Sequence, residues 1–229
     1  MNLAAHLDTF IHLALIGFVA LFPVVNPLGT AFIISPYFSE LSRKERLKAV
    51  KKITFNALAL CAFTLFLGHW ILQLFGLSIP IIQLAGGIMI CKIGWESLAA
   101  DNPDTKKEAE TDESEIADHS IENKLFYPIT FPMTTGAGTI AVLFTLSAHG
   151  ANKDMTLYLL NVAALLVSII GICVLIFIFY LNTNRVIRYI GSHNEVIINR
   201  IMAFLIFCVG LQIAYGGITN LVHAMSAST

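Results

Sequence analysis

Phe22-Pro23-Val24-Val25-Asn26-Pro27-Leu28-Gly29-Thr30 and Phe131-Pro132-Met133-Thr134-Thr135-Gly136-Ala137-Gly138-Thr139 follow one frame. Phe, Pro, Gly and Thr coincide at four positions, with a constant offset of 109 residues. Weaker echoes accompany them. Asn56-Ala57-Leu58-Ala59-Leu60 resembles Asn161-Val162-Ala163-Ala164-Leu165, and Ile93-Gly94-Trp95-Glu96 resembles Val209-Gly210-Leu211-Gln212. A shared frame with similar offsets predicts an internal repeat, not two unrelated kinks.

The surroundings of these motifs are apolar. Of 229 residues 56% are hydrophobic and 13% charged, about half the share usual in soluble domains, and mean hydropathy is +0.75. That excludes a water-soluble monomer, and a net charge of -1 gives no basic footprint for nucleic acid. Stretches of roughly 20 apolar residues cross a bilayer as helices. Six are expected, at about 9–35, 52–75, 79–99, 125–148, 156–181 and 196–222. A basic stretch at 36–51, a tight turn at 76–79, polar loops at 100–124 and 182–195 and a short loop at 149–155 separate them. The first is expected to be a span and not a cleaved signal peptide, since no Lys or Arg precedes it.

Each repeat thus holds three spans, residues 1–99 and 125–229, joined by an acidic linker at 100–124. An odd number threads the second repeat upside down relative to the first. The expected fold is an all-α membrane protein of six transmembrane helices in two inverted three-helix repeats. Its first and fourth helices are broken. Twelve Lys and Arg fall on the side of 36–51, 100–124 and 182–195, against Lys153 alone on the other. The positive-inside rule then places both termini away from the cytoplasm. The nine acidic residues of the linker fit no EF-hand pattern and are expected to be solvated.

The motifs predict where the helices break. Pro23 and Pro27 lack the N–H groups that would bond Val19 and Pro23, so two successive turns lose bonds. Pro132 does the same to Pro128, while Gly136 and Gly138 ease non-helical backbone. Asn26 before Pro27 reads as an N-cap and a helix restart, with Thr135 or Thr134 expected to cap the matching helix. Restarted helices aim free amides into a protected cavity, where a carboxylate fits, and freed carbonyls suit an ammonium group. Asn26, Pro27, Gly29 and Thr30 in one half, and Thr135, Gly136, Gly138 and Thr139 in the other, are therefore the candidate binding residues.

Other polar residues of the spans are secondary candidates. Asn56 and Asn161 suit a pathway lining or interhelical hydrogen bonds, and Lys92 and Glu96 a gate or an i,i+4 pair. His6, His12, His69, His149 and His223 gather toward the non-cytoplasmic ends of the spans. No Asp or Glu stands near a span's middle, so proton coupling would run through histidine, water or backbone. Cys61, Cys91, Cys173 and Cys208 show no metal or disulfide spacing and read as packing residues. No HExxH or GxSxG motif argues for an enzyme.

The Asn26-Pro27-Leu28-Gly29 motif, the Thr135-Gly136-Ala137-Gly138-Thr139 motif and Gly86-Gly87 after Ser78-Ile79-Pro80 carry a resemblance over nearly the whole chain. The sequence resembles the MarC family of six-span prokaryotic inner-membrane proteins, which includes the SnatA-type neutral amino acid transporters. The resemblance implies two inverted repeats whose broken first and fourth helices form the solute site, and glycine, alanine or similar zwitterions as the solute. The family's second motif has proline where this chain has Ala137, so the second break is expected to be less rigidly imposed. The expected function is secondary transport by alternating access. Export of another small solute, or a passive channel or scaffold, is the alternative. The expected partners are a small-molecule solute, the lipid bilayer and a coupling ion, H+ or Na+, with no cofactor or metal.

Overall fold

The computed structural model describes residues 3–38, 41–74, 76, 78–99, 125–150 and 154–226. The described chain is helical: α1 Leu3–Val25, α2 Pro27–Phe38, α3 Arg43–Leu74, α4 Ile79–Ala99, α5 Leu125–Thr134, α6 Ala137–Gly150, α7 Met155–Leu181 and α8 Thr183–Ser226. Among the described residues, five helical stretches are long and apolar enough to cross a membrane, and the bent pair of α5 and α6, counted as one span, makes a sixth. The acidic linker at 100–124 lies outside the described residues, as do 151–153 of the short loop.

Two boundaries differ from the sequence expectation. The basic stretch before span two is not a loop throughout, because α3 starts at Arg43. A capping box starts it: the Ser42 amide donates to Glu45 at 2.9 Å, and the Glu45 amide to the Ser42 hydroxyl at 3.4 Å. The segment at 182–195 is also helical rather than a polar loop. It continues from Thr183 to a single break at Gly191, where φ is +73°. The Asn182 carbonyl starts this helix by accepting from Arg185 and Val186 at 2.8 and 3.0 Å.

Neighbour relations recur between residues 3–99 and 125–226. α1 packs on α7 as α5 packs on α3, and α4 packs on α6 as α8 packs on α2. α3 meets α7 and α4 meets α8. Between apolar helices in lipid, association rests on close packing and interhelical hydrogen bonds, which small residues permit. The α4–α8 seam is the clearest case. A Cβ on Gly210 would lie 2.5 Å from the Cys91 amide nitrogen, and one on Gly94 would lie 2.6 Å from that of Phe207. On α1 and α7, Gly17 makes room for Ser168, whose hydroxyl donates to the Ala14 carbonyl at 2.7 Å. Ser147 of α6 likewise donates to the Leu65 carbonyl of α3 at 2.9 Å. All four cysteines are free thiols, and Cys61 and Cys173 are buried.

The α4–α8 seam predicts a sharp contrast between glycines. Gly210→Ala should lower the melting temperature in detergent by roughly 5 °C or more, the effect of 1–3 kcal/mol of overpacking. Gly216→Ala, where an added Cβ meets nothing within 4 Å, should leave it nearly unchanged. Equal melting temperatures for the two variants would contradict the packing described.

Candidate functional site

The two helix breaks meet. Helix α1 runs through Pro23 to Val25, and the chain turns at Asn26, whose φ is +44°. The break is thus one residue long rather than two turns, because the Asn26 amide still reaches the Phe22 carbonyl at 2.9 Å. Asparagine tolerates this left-handed backbone better than most residues. As expected for an N-cap followed by proline, the Asn26 side chain accepts from the Gly29 amide at 3.0 Å and α2 begins at Pro27. The Thr30 hydroxyl donates to the Asn26 carbonyl at 2.9 Å. α1 and α2 continue as one span, His6–Phe38.

The second break is built differently. Tyr127 and Phe131 have extended backbone, φ/ψ near −117/126° and −124/125°, because each precedes a proline, which disfavours helical geometry there. α5 is consequently a wide coil closed by five-residue bonds. The Thr135 amide donates to the Thr130 carbonyl at 2.9 Å. The hydroxyls of Thr130, Thr134 and Thr135 reach the carbonyls five residues earlier at 2.6 to 2.9 Å. Those hydroxyls therefore serve α5. Neither Thr134 nor Thr135 caps α6, contrary to the sequence expectation. The first α6 bond runs from Ile140 to the carbonyl of Gly136, which occupies the cap position without a capping side chain. The bend between α5 and α6 is 63°, sharper than the break at Asn26. The bend is thus present with Ala137 in place of proline, just after a coil that holds two extended pre-proline residues.

Helix α6 opens directly onto the end of α1. A Cβ on Gly138 would lie 3.0 Å from Val24 and 3.3 Å from Ile93 of α4. Tyr180 joins the two halves from α7. Its hydroxyl hydrogen-bonds the Thr134 hydroxyl at 2.8 Å and also interacts with the Thr30 side chain. Its ring meets Phe38 edge-on. Thr30, Thr134, Thr135, Thr139 and Pro27 are buried within this region, and Asn26 is half-buried. Thr139, in the first turn of α6, is 1% exposed, and its hydroxyl has no partner among the described residues. The adjoining amides of Ala137, Gly138 and Thr139 precede the first intrahelical bond, a geometry suited to an anion.

Sequence reasoning missed two members of the site. Tyr180 reads as one more aromatic in the most apolar span, and Asn199 as a neighbour of Arg200. The Asn26 side chain donates to the Asn199 oxygen of α8 at 3.3 Å. Gly29 is the reason they fit, since a Cβ there would overlap both side chains. Three of the secondary candidates, Lys92, Glu96 and Asn161, stand apart. Lys92 and Glu96 form an i,i+4 pair at 3.7 Å, with side chains 73% and 62% exposed. Asn161 lies on α7 about 28 Å, at 1.5 Å per residue, from Tyr180. Asn56 is half-buried on α3. His12 and His223 are exposed and His6 is half-buried; the side chains of His69 and His149 lie outside the described residues.

The Tyr180–Thr134 bond should be measurable as a coupling. Tyr180→Phe and Thr134→Val should each cost about 1 kcal/mol, and the double variant should cost less than their sum by about 0.5–1.5 kcal/mol. Strictly additive unfolding free energies in detergent would remove the hydroxyl contact from the account.

Comparison with known proteins agrees with this architecture. The family model described as "MarC family integral membrane protein" matches residues 11–222. The inner membrane protein MarC of Escherichia coli strain K12 is 29% identical over 223 residues, covering 94% of this chain and 98% of that protein. The protein of the same name from Shigella flexneri matches to the same extent. No solved structure matches significantly. With the family model covering nearly every described helix, this chain belongs to the MarC family of integral membrane proteins.

Proposed function

We propose that the chain is a secondary transporter of the inner membrane that moves small neutral amino acids, such as glycine and alanine, by alternating access. The observation that carries this reading is the unequal capping of the two restarted helices. The N-terminus of α2 is occupied by its own Asn26 side chain. That of α6 has no side-chain cap, and beside it lies the buried Thr139 hydroxyl, unpartnered among the described residues. A carboxylate fits there, against the amides of Ala137, Gly138 and Thr139 and that hydroxyl. The Pro23 carbonyl, which Pro27 cannot serve with an N–H, suits the ammonium end, and the Val24 side chain lies beside Gly138, where it would meet an added Cβ.

The recurrent neighbour relations and the meeting of the breaks support the inverted-repeat reading, in which broken helices place a solute near the midplane. In this account the Asn26–Asn199 bond ties the first break to α8 at the basic end, so that its rupture belongs to opening on that side. The lysine and arginine distribution orients the basic end toward the cytoplasm and both termini away from it. Coupling to H+ or Na+ is part of the proposal.

Counterflow in proteoliposomes tests it, with labelled glycine or alanine outside and unlabelled solute inside. Saturable exchange is expected, abolished by Gly138→Trp in protein that still elutes as a folded species. Thr139→Val should raise the half-saturation concentration about tenfold, the loss of one hydrogen bond to a charged group. No exchange across a panel of neutral amino acids would overturn the substrate class. Unimpaired exchange by Gly138→Trp would overturn the site.

A further inference from the structure

A second feature, independent of transport, lies outside the helix breaks. Where α7 ends at Leu181, the chain turns through Asn182 into the first two turns of α8, Thr183–Ile190, before the break at Gly191. This short stretch is fixed to α7. The Thr183 hydroxyl donates to the Tyr180 carbonyl at 2.7 Å, and the Asn182 carbonyl accepts the first two helical amides. Between it, α7 and the first turn of α2 runs a groove of about 610 Å³. Leu28, Phe179 and Ile190 give it apolar lining, and Arg185, Arg188 and Tyr189 line it too.

Three observations say what fills it. Arg185 and Arg188 stand three residues apart, on one face of the stretch, and both are exposed. No carboxylate among the described residues pairs with either. Tyr189, 94% exposed, belongs to the class of side chain that settles at a bilayer interface. The groove also sits where one stretch apolar enough to cross a membrane stops at Leu181 and the next starts at Val196, a level that suits the edge of the hydrocarbon. Paired guanidiniums at the rim and apolar walls at that depth complement a phosphodiester headgroup joined to an acyl chain. A soluble anion would leave the apolar walls unused, and a zwitterionic lipid would bring its own cation to two arginines.

We infer that this groove is a binding site for an anionic glycerophospholipid, with Arg185 and Arg188 holding the phosphate and Leu28, Phe179 and Ile190 lying along the first part of an acyl chain. Leu28 is two residues from the Asn26 break, so the bound lipid rests against the first turn of α2.

Native mass spectrometry of the full-length protein tests the inference, using detergent solution with equimolar phosphatidylglycerol and phosphatidylcholine. Wild type should retain phosphatidylglycerol at least fivefold over phosphatidylcholine. Arg185→Gln/Arg188→Gln should fall to parity, while Lys44→Gln/Lys48→Gln, an equal loss of charge on exposed α3 positions, should keep the preference. Equal retention of the two lipids by wild type would overturn the site. So would a preference that survives in the arginine variant, or one lost equally in the lysine variant. Displacement of the lipid by millimolar glycerol phosphate would also overturn it, because the site would then recognise a soluble phosphate ester.

Discussion

Backbone that leaves the helix inside an apolar bundle must find its hydrogen bonds within the chain, since hydrocarbon offers none. Around this constraint the centre of the molecule is organised. At the first break a single asparagine meets it: the Asn26 carbonyl and side chain both accept from α2, while its own amide stays bonded to α1. At the second break three threonines meet it from the preceding coil, turning their hydroxyls back onto carbonyls five residues earlier. The two solutions leave different remainders. The first break leaves the N-terminus of α2 capped, whereas the second presents the open end of α6 and the Thr139 hydroxyl.

Close packing holds these remainders together. Glycines at the α4–α8 seam and between α1 and α7 let backbones approach, which in lipid replaces the drive that water supplies to soluble cores. Gly138 against Val24, and Tyr180 between Thr30 and Thr134, then join the breaks of the two halves. A polar cluster in such a place is costly to leave half satisfied, so in the transport we propose an opening would exchange one hydrogen-bond partner for another. The Asn26–Asn199 contact, long at 3.3 Å and reaching between separate helices, is the one we assign to that exchange.

Much of this was legible in the residues. Apolar runs gave the spans, and Asn26-Pro27 gave the first cap and restart because capping and proline geometry are local. The Ser42–Glu45 capping box is legible in the sequence as well, but not in hydropathy, since the helix extends beyond its apolar part. The second break misled for a different reason. Thr134 and Thr135 are capable caps, but the prolines at 128 and 132 force extended residues before them, and the widened coil then claims those hydroxyls. Tyr180 and Asn199 carry no local signal at all. Their roles come from partners 46 and 173 residues away in the chain, which only packing brings near.

The central claim is that the two breaks touch, and a disulfide reports on it most directly. In a variant with Cys61, Cys91, Cys173 and Cys208 replaced by serine or alanine, Val24→Cys and Gly138→Cys would be oxidised in native membranes. The cross-linked form would then be separated by its gel mobility after cleavage at a protease site inserted in the 100–124 linker. Efficient joining of the two fragments by this pair, with none for Val24→Cys paired with the distant Asn161→Cys, is the result the account predicts. Fragments that stay separate under conditions where a cysteine pair across the α4–α8 seam is joined would contradict it.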